Sequence, residues 1–217
     1  MKKLRIVIVV IAFMIASFGA YKLVYDTGTS AKRLPDKYNG TIARVTSSHD
    51  TDGDGIDDQS DILEGTLAYL ETRPKYKSQY YDGGYPNDGY GVCTDVVAQG
   101  FFAAGFDLMR LVDKDIKAYP DDYDVDKPDA NIDFRRVKNL NVFFMHTCVS
   151  LTTDVKDIEE WQGGDVVVMK KHIGIVSDRR NKNGVPYILH HTSPRQKRYE
   201  MDILEKRKDI IGHYRVP

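Results

Sequence analysis

Cys93, one of two cysteines in 217 residues, opens an apolar helical run, and His172 and His190 follow in strand-like surroundings. Those residue types are the parts of a nucleophilic site. A thiolate attacks an electrophilic carbon, one imidazole takes its proton and returns it to the leaving group, and a second polar group orients that imidazole. A helix N-terminus and a neighbouring imidazole both lower a thiol's pKa, so an activated thiolate at Cys93 is the expectation. Its backbone N–H at the helix start is the expected oxyanion donor. Two bland readings stand beside this one. Cys93 and Cys148 could form a disulfide in an exported chain, and a histidine beside glycine in a strand can be a satisfied core residue. A zinc site on the same histidines would need three or four converging ligands, and no His-x-x-x-His or Cys-x-x-Cys spacing occurs.

A second group of residues has the spacing of a calcium loop. Asp50, Asp52, Asp54, Asp58 and Asp61 put oxygens at positions one, three, five, nine and twelve, with Gly55 at six and the Ile56 carbonyl at seven. A structural Ca2+ ion is expected there, with no cofactor for catalysis. The competing reading is a solvated acidic turn capping the helix at Ile62.

These residues need elements to hold them. Ile62, Leu63, Leu67 and Leu70 share one face of a helix starting near Asp61 and ended by Pro74. Val96, Val97, Phe101 and Phe102 form the buried stripe of the Cys93 helix, with Gly105 as its C-cap. Residues 107–153 mix two helical pieces with an acidic loop and are expected as an insertion beside the core. Strands then follow at Val166–Met169, Ile173–Val176, Tyr187–His190 and Ile210–Tyr214, with a turn at Asn181–Gly184. Helices first and strands later give an α+β domain with helices on an antiparallel sheet.

Net charge is -1, from 31 basic and 32 acidic side chains, which excludes a general attraction to nucleic acid or anionic lipid. Lys2, Lys3 and Arg5 precede an apolar run from Ile6 to Ala20, the layout of an export signal retained as a membrane anchor. The expected organisation is therefore an anchor at 1–25, a polar tether at 26–41 and one extracytoplasmic domain at 42–217. Oligomeric state is not legible.

The ordered pieces Tyr81-Asp82-Gly83-Gly84, Cys93, Trp161-Gln162-Gly163-Gly164-Asp165-Val166-Val167, His172-Ile173-Gly174-Ile175-Val176 and Leu189-His190 resemble the NlpC/P60 papain-like cysteine peptidases of bacterial cell walls. The stretches Gly91–Val97, Asn131–Val137 and Gly212–Arg215 look like DUF1287, a family within that superfamily. The usual Asp-Cys-Ser-Gly is here Val92-Cys93-Thr94-Asp95. The resemblance covers about residues 60 to 217 and implies a papain-like fold. It implies a hydrolase of peptide or amide bonds in peptidoglycan stem peptides, with Cys93 as nucleophile, His172 as base and His190 as orienting group. It also implies Tyr81 as a second oxyanion donor. Arg135 and Arg136 are candidate clamps for a substrate carboxylate. Asp95 is as well suited to capping as to catalysis. Two other classes stay open: a surface binding module with the same cleft and no turnover, and an acyltransferase or lipid-directed amide hydrolase, which a hydrophobic cleft near Cys93 would favour.

Overall fold

Asp57 starts the first helix: its carboxylate accepts from Ser60 N–H and caps α1, Asp58–Glu71, three residues ahead of the expected start. α1 buries Ile62, Leu63 and Leu70 against α2, Cys93–Ala103. The two helices cross closely because glycines face each other's neighbours. A Cβ on Gly100 would lie 2.2 Å from Thr66 Oγ1 and 2.8 Å from the Ile62 carbonyl. Gly105, at φ +81°, ends α2 as expected, and Phe106 N–H returns to the Phe101 carbonyl at 2.9 Å. Phe102 departs from the expected buried stripe and is 55% exposed.

The computed structural model describes residues 11–17 and 28–217. Residues 11–17 are helical and exposed, and the rest of the expected anchor at 1–25 lies outside the described residues. Among those described, no helix is long and apolar enough to cross a membrane.

After α2 come α3 (Leu108–Ala118), the short α4 (Ala130–Asp133) and α5 (Val137–Thr147). The sequence suggested an insertion beside the core, and the structure corrects this. Leu108, Val112, Phe134, Leu140 and Phe144 are fully buried in the same cluster as Val96 and Val97 of α2. The segment looked peripheral because its apolar residues are separated by the acidic loop, of which only Tyr123 and Asp133 are buried.

A short parallel pair, β1 (Lys75–Tyr76) with β2 (Tyr90–Gly91), brackets the glycine-tyrosine loop. The main sheet holds β3 (Val149–Ser150), β4 (Val166–Met169), β5 (His172–Arg180), β6 (Pro186–Leu189), β7 (Glu200–Met201) and β8 (Ile210–Arg215). Their order is β3-β8-β4-β5-β6-β7, antiparallel throughout. Side chains alternate as a pleat requires. Val166, Val168, Ile173, Ile175 and Leu189 join the helical core, while Val167, Met169, Val176 and Ile188 form a second cluster with Trp161 and Leu204.

The segment expected as a free tether is a strap docked on the domain. Thr29 Oγ1 donates to the Gln196 carbonyl at 2.9 Å, and Ser30 N–H to the Lys197 carbonyl at 2.9 Å. The Arg33 guanidinium reaches Glu200 at 2.9 Å and Ser177 at 2.8 Å, and Lys37 N–H reaches the Arg180 carbonyl at 2.9 Å. Polarity misled the reading, because these polar groups bond to the protein instead of to water.

Asp165, fully buried, joins the layers. It accepts from Gln59 Nε2 of α1 at 2.8 Å, Gln162 N–H at 2.8 Å, and His213 Nε2 and Arg215 Nε of β8 at 2.8 and 2.7 Å. Burial pushes its carboxyl up, and the bonds from His213 and Arg215 outweigh that and hold it below the usual range. Asp165→Ala leaves a buried cation without its anion. The expected cost is about 3–5 kcal/mol, read as a lowered urea midpoint.

Candidate active site

Cys93 is the first residue of α2, which packs on β5, and His172 is the first residue of β5. His190 follows β6 directly. A Cβ on Gly174 would lie 2.9 Å from the Leu189 carbonyl and 3.2 Å from His190 Cβ, so this glycine permits the close passage that sets His190 beside His172. His172 Nε2 and His190 Nδ1 are 2.7 Å apart, their rings edge to face at 74°. The Cys93 sulfur lies near the backbone N–H of Ile173, the residue after His172. Thiol and imidazole pair therefore share one corner, where α2 meets the start of β5. Cys93 and Cys148 are both free thiols.

The charge state differs from the sequence expectation. Burial pushes the Cys93 thiol up to about 11, outweighing the N–H groups of Ile173 and Thr94 that favour the thiolate, and Asp95 adds to the rise. Burial likewise pushes His172 down to about 4, helped by the cationic Arg207 and opposed by Asp209. His190 falls to about 3 through burial and the neighbouring His172, His191 and Arg207. The resting site is thus a neutral thiol with neutral imidazoles. Desolvation overrides the helix N-terminus that the sequence reading relied on.

Asp95 is a cap and an ion-pair partner. Its carboxylate accepts from Val92 N–H at 2.8 Å and holds the Arg135 fork at 2.7 and 2.8 Å. Arg135 also donates to the Gln79 carbonyl at 2.7 Å and lies over the Tyr81 ring, so its fork is filled from within the protein. That corrects its expected role as a carboxylate clamp: it fastens the start of α2 to the glycine-tyrosine loop. The Tyr81 hydroxyl donates to Asp88 Oδ1 at 2.9 Å, which directs its proton away from an oxyanion role. Arg136 is 44% exposed in its side chain and leans on Asp133 at 3.3 Å. Asp50, Asp52 and Asp54 cluster in the loop ahead of α1, with Ile56, Asp58 and Asp61 following.

Sequence reasoning missed Arg207. Arg207 stands in the loop between the 3-10 turn Leu204–Lys206 and β8, close enough to lower both imidazole pKa values. It donates to Asp209 at 2.7 Å, and its Nε is buried without a partner among the described residues. A loop arginine in a run of basic and acidic residues carries no periodic signal. His191 packs edge-on between Tyr76 and Tyr199, with both ring nitrogens unpartnered among the described residues.

An apolar cavity of about 410 Å³ lies elsewhere, lined by Phe101, Phe106, Leu111, Phe143, Cys148 and Val216 among others. It does not include Cys93, His172 or His190.

The comparisons with known proteins place the chain by sequence. No solved structure matches it. The uncharacterized protein YijF of Escherichia coli strain K12 is 34% identical over 162 residues, covering 70% of this chain and 76% of that protein. The model of DUF1287, described as a domain of unknown function, matches residues 64–216, from the first helix through the last strand and with all three site residues inside it. The chain therefore belongs to the DUF1287 family.

Proposed function

We propose that the protein is a cysteine hydrolase of peptide or amide bonds, built in the papain-like manner of the NlpC/P60 enzymes and acting on peptidoglycan stem peptides outside the cytoplasm. The observation that carries this reading is the 2.7 Å contact between His172 and His190 beside a thiol at a helix start. His190 occupies His172 Nε2, which leaves Nδ1 as the only ring nitrogen able to take the Cys93 proton. For Nδ1 to be basic, Nε2 carries hydrogen and donates to His190 Nδ1, so His190 fixes the tautomer.

Because the resting groups are neutral, proton transfer and attack are coupled. The Cys93 proton moves to His172 as the sulfur bonds to the carbonyl carbon. The carbonyl oxygen gathers charge near the N–H groups at the head of α2. Collapse breaks the C–N bond, and His172 returns the proton to the leaving amine. A water molecule then cleaves the thioester, giving up its proton to His172 and freeing the carboxylic acid and the thiol.

Stem peptides, rich in carboxylates, are the substrate class that the resemblance implies. The apolar cavity is remote from the thiol, which counts against the lipid-directed alternative. The N-terminal segment fits a membrane anchor that would hold the domain at the wall.

The test is incubation of the full-length chain with purified muropeptides, followed by mass spectrometry. New amine and carboxylate ends are expected, with heavy oxygen from labelled water in the carboxylate. Peptides that bind but stay intact would replace the enzyme with a binding module.

A further inference from the structure

One oxygen each from Asp50, Asp52 and Asp54 lies within 4.8 Å of the others, on an exposed loop. Three surface carboxylates alone do not make a site. The independent observation is Asp61, in the first turn of α1, which is only 7% exposed and whose Oδ2 is buried without a hydrogen-bond partner among the described residues. Its surroundings are acidic. The charged groups that act on it are Asp54, Asp52, Asp50 and Asp58. A buried, unpartnered carboxylate oxygen in acidic surroundings is unfavourable without a counter-charge, and one divalent cation supplies it.

We propose that Asp50, Asp52, Asp54, the Ile56 carbonyl and Asp61 bind one calcium ion that fastens the start of α1 to the end of the nucleophile helix. The donors are all hard oxygens, with neither imidazole nor thiolate, which selects calcium over a transition metal. Asp58, at the ninth position, accepts from the Thr51 N–H and hydroxyl at 2.7 and 2.8 Å and so shapes the loop around the ion.

The connection to α2 runs through Gly105. A Cβ there would fall 3.2 Å from Asp52 Cβ, so the loop rests directly on the end of that helix. Asp57, inside the loop, caps α1 and also accepts from Ser47 N–H at 3.1 Å. The ion would therefore tie together three segments. Cys93 sits at the opposite end of α2, about 16 Å away along the axis, so the ion braces the site without touching it. This inference does not depend on the thiol being catalytic.

The test uses the full-length chain, stripped with a chelator and titrated with calcium from about 0.1 to about 10 mM in a calorimeter and in thermal melts. One ion per chain is expected, with Tm rising as calcium is added and a much smaller rise with magnesium. Asp61→Asn should abolish the calcium response. Its metal-free form should melt at or above metal-free wild type, because a buried repelling charge is gone. Asp54→Asn, at an exposed position, should weaken binding at least tenfold while keeping the fold. Absence of heat and of a Tm shift in wild type, or a full calcium shift retained by Asp61→Asn, would overturn the proposal.

Discussion

Cys93→Ala is expected to remove turnover, by at least about a thousandfold in kcat/KM, while shifting stability by less than about 2 kcal/mol. The nucleophile has no substitute: Cys148 lines the remote apolar cavity and is not near the imidazoles. Loss of one half-buried sulfur leaves α2 capped by Asp95 and packed through Val96, Val97 and Phe101. His172→Ala should cost activity on a similar scale, since the proton then has no acceptor. The informative control is alkylation. Because burial holds the thiol at about 11, iodoacetamide should label wild-type Cys93 slowly at pH 6, and His172→Ala should change that rate little. Rapid labelling at pH 6 that depends on His172 would mean a preformed ion pair and a different first step. Activity retained in Cys93→Ala would remove the nucleophile assignment outright.

Acid should unfold the protein early. His172, His190 and His191 are buried neutral, with pKa values near 4, 3 and 4 in the folded chain against about 6.5 when unfolded. Above the unfolded value both states are neutral and these groups contribute nothing to the pH dependence. Between about pH 6.5 and 4 the unfolded chain binds the protons, so stability falls as pH falls. Three such groups give a slope of about 4 kcal/mol per pH unit at its steepest. Asp61, raised to about 6, works in the opposite direction in metal-free protein and offsets part of this. Against a total stability of about 5–15 kcal/mol, unfolding is expected near pH 4 to 5. Urea midpoints measured from about pH 8 to 4 check it. His191→Phe keeps an aromatic ring between Tyr76 and Tyr199 and should flatten the acid limb by about a third. A flat profile across that window would show that the imidazoles are solvated.

Local signals carried the helices and strands well. The Cys93 helix is legible because a glycine and β-branched residues precede a 3.6-residue apolar period, and Gly105 marks its end. Strands β4, β5, β6 and β8 are legible as apolar runs separated by Asn181–Gly184 and similar breaks. Relations across the chain were not. Arg135 looked free because its partner Asp95 lies forty positions earlier in sequence. The strap looked like a linker because the polar groups it binds, such as Glu200 and Gln196, are over 160 residues away. The thiol's charge state was misjudged for a related reason. A helix start is visible in sequence, whereas the burial that outweighs it is a property of the assembled core.

The strap also bears on how copies of the molecule meet. Ser30 bridges Arg198 just ahead of β7, and Tyr199 N–H donates to the Ser30 carbonyl at 3.1 Å, so the chain's own early residues sit along that side of the sheet. At the other side, β3 is only two residues long. A sheet closed off in this way offers little backbone for a neighbour to extend. Nicking between Thr29 and Lys37 would uncover β7 as a template for strand addition by a neighbouring copy.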